Sequence, residues 1–281
     1  METGIRNPAV KIAFYAILLL WSVSVIYPLI WTVLDALKNN EQFFLGAPWS
    51  LPKIPLIWDN FSYVWKHYHF DRYFVNSFII TVGSTLLGLI LSAMTAYVLA
   101  RYPFKGSGVL YLLYVSSMMI PFILGLIPLF FLMNSLHLIN KPIGVIFVYA
   151  SSLLAFGIFV LVGFFKSLPK ELEEASVIDG ASHFGTFFRV MLPLSQPGLI
   201  TIAIVNVLNI WNEYIVGTIL INDPRQYTLP VEIAVMQKEM QYRTEWGPLF
   251  AGLLFTIVPV LIVYMVFQRK IASGITAGAV K

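Results

Sequence analysis

The chain has 281 residues, of which 58% are hydrophobic and only 11% charged. A soluble globular domain carries about 25% charged residues, so this composition, with a mean hydropathy of +0.80, excludes an ordinary soluble domain. The net charge is a modest +4 with no Lys/Arg-rich block, which gives no footing for a nucleic-acid partner, and the absence of cysteine excludes disulfides, thiolate zinc sites and cysteine nucleophiles.

The apolar runs have membrane-spanning length, since crossing about 30 Å of hydrocarbon takes roughly 20 apolar residues. Six spans are predicted: Ile12 to Leu34, Tyr73 to Ala100, Gly108 to Met133, Ile143 to Phe165, Gly198 to Ile221, and Pro248 to Gln268. The first is too long for a signal-peptide core and no small-x-small cleavage site follows it, so it reads as a retained span. The third holds Pro121 and Pro128 and is expected to be kinked. The fold class is therefore an all-α polytopic membrane protein. Its expected division is residues 1–72 (first span and outer loop), 73–268 (transmembrane core) and 269–281 (tail).

Six spans place both termini on one side. With the termini inside, the inner segments hold ten Lys/Arg in roughly 64 residues and the outer loops eight in roughly 73. The bias sharpens beside the spans, where Arg6, Lys11, Arg101, Lys105, Lys166, Arg269 and Lys270 flank inner ends. Both termini are thus expected in the cytoplasm. In the first outer loop Phe61, Val64, Trp65 and Tyr68 recur at helical spacing, which predicts a short helix with its aromatics at lipid-headgroup level. His67 and His69 lie beside it without a carboxylate set that would make them metal ligands. Ser84, Gly88, Ser92 and Ala96 form a small-residue stripe on span two, suited to close helix packing within the subunit or against a second one.

The inner loop from Lys166 to Pro197 is far longer than a connection requires. Ser167 is a candidate N-cap, Pro169 can occupy a first turn, and Glu171, Glu173 and Glu174 suit the positive end of a helix. Gly180 can end that helix at positive φ, Ser182 can cap a second, and Pro193 stops it. The spacing predicts a helix-glycine-helix insert, which serves either as a rigid protrusion that transmits a push or as a connector resting on the membrane. His183 lies within it as an exposed or docking residue rather than a ligand.

Glu174-Ala175-Ser176, then Gly180, then Val190-x-Leu192-Pro193 resembles the signature loop of ATP-binding-cassette importer permeases, with Ser176 and Val190 as mild departures. Trp211-Asn212-Glu213-Tyr214 with Tyr227-Thr228-Leu229-Pro230 is similar to the fifth-span region of carbohydrate permeases of the maltose-transporter type. The tail Gly274 to Lys281 is similar to that of the shorter permease subunit in that family. The resemblance implies a bacterial inner-membrane subunit that works with a second permease, two ATPase subunits and an extracytoplasmic sugar-binding protein. It implies that Glu174, Ala175, Ser176, Val177, Ile178, Gly180, Leu192 and Pro193 form the loop that couples to the ATPase. Glu174 offers a charge to a basic partner residue, Ala175 permits close approach, and Val177 and Ile178 offer apolar contact.

On span five, Asn206, Asn209 and Glu213 fall on one face at helical spacing. They read either as a polar stripe beside a translocation path or as interhelical hydrogen bonding. No G-x-x-x-x-G-K-[ST] phosphate loop is present, so the chain is expected to be no enzyme and to hold no cofactor, with ATP and magnesium on the ATPase subunits. The alternatives are a permease for a non-sugar solute, a secondary transporter and an intramembrane enzyme. A secondary transporter predicts paired broken spans and acidic ion sites; the sequence displays no such pair and one acidic residue within its spans. An intramembrane enzyme needs a catalytic constellation, and the spans carry neither histidine nor paired aspartates.

Overall fold

A computed structural model describes residues 8–47, 49–240, 242 and 244–279, with side chains through Gln268. Arg6, the side chains of Arg269 and Lys270, and the side-chain features of the Gly274 to Lys281 tail lie outside the described residues. The elements in order are α1 (Pro8–Asp35), α2 (Asn40–Leu45), α3 (Asp59–His67), α4 (Phe70–Arg101), α5 (Ser107–Ser117), a 3-10 turn (Phe122–Gly125), α6 (Leu126–Ser135) and α7 (Pro142–Ser167). There follow α8 (Glu171–Ile178), α9 (His183–Thr186), a π-helical turn (Phe187–Met191), α10 (Leu192–Leu194) and α11 (Gln196–Trp211). The chain ends with α12 (Ile215–Leu220), a 3-10 turn (Pro224–Gln226), α13 (Leu229–Glu239) and α14 (Trp246–Ala279). Among the described residues all regular structure is helical.

Four helices are long and apolar enough to cross a membrane: α1, α4, α7 and the Trp246–Gln268 part of α14. The count reaches six when two bent helix pairs are each taken as one span. The third predicted span is one of these: α5 and the following segment meet at 99°. Pro121 lies at the break, where it cannot continue the α5 hydrogen-bond ladder. Pro128 causes no break, because it falls in the first turn of α6 where no intrahelical donor is needed.

The fifth predicted span also departs from a continuous helix. α11 stops at Trp211 ahead of α12, and the 74° bend between the stretch His183 to Leu194 and α11 lies just before the predicted start at Gly198. The polar residues at the stop supply the reason. Asn212 Nδ2 donates to Leu208 O at 2.7 Å, and Glu213 Oε1 accepts from Val216 N at 3.0 Å. One side chain thus satisfies a carbonyl at the end of α11 while the other caps the first turn of α12.

The chain forms two compact units, residues 1–70 with 235–257, and residues 71–234 with 258–281. In the first unit, aromatic side chains from distant segments stack: Phe43 lies 5.7 Å from Phe250 and 5.9 Å from Trp246, ring centre to ring centre. The predicted short helix exists as α3, and Phe61, Trp65 and Phe70 all turn onto Phe255 of α14. Asn60 Nδ2 donates to Ala36 O at 2.8 Å and Lys38 O at 2.9 Å. Gly247 passes so close that a Cβ there would lie 2.4 Å from Lys38 O, so the helix crossing requires glycine. Asp35 and Lys38 form a fully buried ion pair at 2.8 Å, with Lys38 Nζ 5.5 Å from the centre of the Phe43 ring. Most of α1 remains uncovered, with Ile12 and Leu20 each 70% exposed.

The second unit is built on α4, α7 and α11. Ser84, Gly88, Ser92 and Ala96 are all buried, and the stripe packs on α7: a Cβ on Gly88 would meet Ala150 O at 3.3 Å, and one on Gly157 would lie 2.4 Å from Ser92 Oγ. The stripe therefore serves packing within the chain. Beside it Ala93, Ala96, Ile158, Leu161, Phe165 and Ile202 form one buried core. At the end of the unit that holds Asn76 and Asn222, side chains staple the loops. Asn76 Nδ2 donates to Arg225 O and Tyr227 O at 3.1 and 2.9 Å, and Asn140 Oδ1 accepts from Asn222 N and Asp223 N at 3.0 and 2.8 Å.

Candidate functional site

The helix after α7 begins one turn later than the sequence suggests. Ser167 ends α7, its Oγ donating to Phe164 O at 2.8 Å, so it does not cap the next helix. Leu168 is extended, as expected of a residue before proline, and α8 opens at Glu171 with three glutamates in its first turn. Gly180 takes φ +82°, and a Cβ there would meet nothing within 4 Å. Its demand is thus on the backbone alone, in a region where L side chains are strained. Ser182 caps α9, accepting from Gly185 N at 3.2 Å. Pro193 sits at the start of α10 rather than beyond it, and the turn ends at Leu194.

The two arms of this hairpin are held at a fixed angle. Ser176 and Thr186, both buried, meet through their hydroxyls at 3.0 Å. Phe187 and Met191 drop into the core of the unit beside Tyr97, Phe165 and Ile202. Of the predicted residues, Ser176 is therefore an internal strut and Leu192 is half-buried. The rest are turned outward: Glu174, Ala175, Gly180 and Pro193 are exposed, Val177 is 53% exposed and Ile178 84% exposed. Phe184 at 69% and Phe188 extend the apolar surface, and neither belongs to the set predicted from the sequence. Their signal there is two aromatics four residues apart on the second arm. A carboxylate, a small residue and four uncovered apolar side chains on a rigid hairpin are suited to docking into another protein.

His183 is exposed, and its Nδ1 lies 3.1 Å from the Tyr102 hydroxyl. His67 stacks on Tyr63 with ring centres 4.7 Å apart, and His69 takes φ +53°.

The candidate path residues do not stay on one face. Asn206 is buried in α11, 1% exposed, and its Oδ1 has no hydrogen-bond partner. Asn209 is exposed. Glu213 lies past the end of α11, so helical spacing no longer relates it to the other two; it accepts a hydrogen bond from the Tyr149 hydroxyl and the one from Val216 N. The assumption that fails is a continuous helix through residue 213.

A second feature outside the predicted set is a groove of about 780 Å³ beside the break between α5 and α6, lined by Tyr114, Ser117, Pro121, Ser151 and Ser152 among others. Each of the three serine hydroxyls donates to its own helix's backbone. In the loop after α12, Asp223 is held down to about 2 by the guanidinium and backbone N–H of Arg225, whose own pKa is raised in return.

Comparison with known proteins places this arrangement. Residues 74–276 match the family described as binding-protein-dependent transport system inner membrane component. The diacetylchitobiose uptake system permease protein NgcG of Streptomyces coelicolor is 38% identical, over 94% of this chain and 87% of that protein. The probable starch degradation products transport system permease protein AmyC of Thermoanaerobacterium thermosulfurigenes is 36% identical over 94% and 93%. The arabinooligosaccharides transport system permease protein AraQ of Bacillus subtilis is 30% identical over 96% of each. In fold, the chain is similar to a chain of a bacterial ABC transporter involved in the import of the acidic polysaccharide alginate, with TM-score 0.80, 23% identity, and 96% and 99% of the two chains covered. The two bent helix pairs depart from the expectation of unbroken spans, and the family match, not the bends, decides against a secondary transporter. By a match over most of its length and by relatives aligned nearly end to end, this chain belongs to the inner-membrane permeases of binding-protein-dependent, ATP-binding-cassette transport systems.

Proposed function

We propose that the chain is one of two permease subunits of an ATP-driven sugar importer in a bacterial inner membrane, with both termini in the cytoplasm. The observation that carries the coupling role is the outward set Glu174, Ala175, Val177 and Ile178 on a hairpin whose other side is buried. Docking that covers an apolar side chain of this size contributes about 1.5–3 kcal/mol, so Ile178 and Phe184 would dominate adhesion to an ATPase subunit. Glu174 would then set register against a basic residue of that subunit. The rigid Gly180 turn keeps both arms together, so that a displacement of one displaces the other. ATP and magnesium act on the ATPase subunits; this chain's contribution is to receive their movement and convert it to a change between inward-open and outward-open spans. Such a shift is limited by the difference in affinity of nucleotide and substrate for the two states.

Sugar is the favoured cargo because the similar permeases from three bacteria are named for diacetylchitobiose, starch products and arabinooligosaccharides. The family description favours delivery by an extracytoplasmic binding protein, as does the similarity to a transporter solved in complex with an alginate pentasaccharide-bound periplasmic protein. Asn206, Asn209 and Glu213 are proposed to neighbour the path, with Asn206 offering an unsatisfied acceptor and Glu213 holding the α11–α12 break in shape.

The chain has no cysteine, so a cysteine introduced at Ile178 is unique. In the assembled complex it should cross-link to an ATPase subunit through a short bifunctional reagent, while one at Asn222 should not. Equal cross-linking from both positions, or none from Ile178, contradicts the docking assignment.

A further inference from the structure

The hairpin is joined to the end of α7 and the start of α11 by the chain itself, and side chains tie it to the end of α4. The side chain of Arg101, the last residue of α4, is 4% exposed. Its Nη2 donates to Leu168 O at 2.6 Å, and its Nε lies 3.4 Å from Glu173 Oε1 in an ion pair that lacks hydrogen-bond alignment. The next residue, Tyr102, reaches His183 on the second arm at 3.1 Å. One turn earlier, Tyr97 packs against Phe187, ring centres 5.1 Å apart. The first arm is therefore fastened through Glu173, and the connector before it through Leu168, to the last residue of α4, and the second arm to Tyr97 within α4 and to Tyr102 just past its end.

We infer that Arg101 is the positioning residue that makes α4 follow the hairpin, so that a push on the docking surface moves span two together with α7 and α11. The inference deepens the coupling reading above and rests on it. Several details support force transmission rather than charge neutralisation alone. Arg101 binds two groups of the connector at once, one a carboxylate on α8 and one a main-chain carbonyl at the end of α7. A guanidinium can do this because its donors are spread over a planar fork, whereas an ammonium is a single compact charge. Glu173 is 21% exposed, so water could solvate it without a buried partner; its position beside Arg101 is not forced by burial. The small-residue stripe gives α4 a close, hard seat on α7, so a displacement delivered at residue 101 is carried along the helix rather than absorbed in soft side chains.

The test uses the complete importer in lipid discs, with Val98 on α4 and Glu171 on the hairpin, both exposed and neither part of the docking surface, replaced by spin-labelled cysteines. With Arg101 present, the distance between the labels stays fixed as ATP binds and is hydrolysed. In Arg101→Ala it should change or broaden with nucleotide, and the ratio of sugar-stimulated to basal ATP hydrolysis should fall about tenfold. Arg101→Lys should recover part of that ratio, and Glu173→Gln, which keeps the Leu168 contact and serves where Arg101→Ala does not assemble, should lose about threefold. An unchanged ratio with a fixed label distance in Arg101→Ala, or in Glu173→Gln in its place, overturns the inference. When Glu174→Ala in the same preparation loses stimulation, that result overturns the α4 linkage alone; when Glu174→Ala is silent too, the docking reading falls and the linkage with it.

Discussion

Gly180 allows a quantitative test of the hairpin. It sits at φ +82° with open space where a Cβ would stand, so substitution there costs backbone strain and no steric overlap. For an ordinary L residue in the left-handed region that strain is about 1–2 kcal/mol, which lowers the population of the native turn by about fivefold to thirtyfold. Asparagine tolerates the region better than alanine, and a β-branched residue tolerates it least. Gly180→Asn, Gly180→Ala and Gly180→Val should therefore lose sugar-stimulated ATP hydrolysis in that order in the reconstituted complex. Limited proteolysis between Asp179 and Ser182 should accelerate in the same order. Membrane assembly should hold throughout, because the turn contributes nothing to the buried cores. Equal activity for asparagine and valine would refute the reasoning, since it would mean the turn's conformation is not what the site requires.

Other perturbations probe other links. Gly157→Ala places a methyl 2.4 Å from Ser92 Oγ; overpacking of this kind costs about 1–3 kcal/mol, and Ser92→Gly in the same chain should restore the lost thermal stability in detergent. Replacing either partner of the buried Asp35–Lys38 pair strands a charge and costs about 3–5 kcal/mol. The double change Asp35→Leu with Lys38→Met should recover most of it in a thermal melt. Glu213→Ala removes the acceptor for Tyr149 and the cap of α12, a loss of about 1–3 kcal/mol; adding Tyr149→Phe should cost little further, a coupling read from a double-mutant cycle. The folded pKa of Asp223, about 2, is depressed from its ordinary 3.8, so its contribution is present above the ordinary value and lost as pH falls from there toward 2. Hydrogen exchange at Arg225 to Tyr227, corrected for intrinsic rates, should accordingly be flat from pH 5 to 8, while Asp223→Asn exchanges faster across that whole range.

Much of the hairpin is legible in the sequence because its determinants are local. A glycine at the turn, a serine cap and acidic residues in a first turn act within four or five positions, and Gly180, Ser182 and Glu171 to Glu174 appear in those roles. Ser167 has the residue type of a cap but does not act as one, because α7 runs two residues past the predicted end at Phe165 and claims it. The small-residue stripe is visible, but not its partner, since Gly157 lies 65 positions from Ser92 and only packing joins them. Span five reads as continuous because Asn212 and Glu213 interrupt it with side-chain caps rather than with proline or glycine. Arg101 shows in the sequence only as a charge flanking a span. Its two partners lie 67 and 72 residues away, and one of them, Leu168 O, is a backbone atom that leaves no trace in the residue types.

The central claim is tested most directly by reconstituting this chain in liposomes with its partner permease, ATPase subunits and sugar-loaded binding protein, and following uptake of labelled sugar. The account predicts uptake that requires ATP and the binding protein together, and that is lost in Glu174→Ala although the complex assembles. Uptake by this chain without an ATPase, or full uptake by Glu174→Ala, would contradict it.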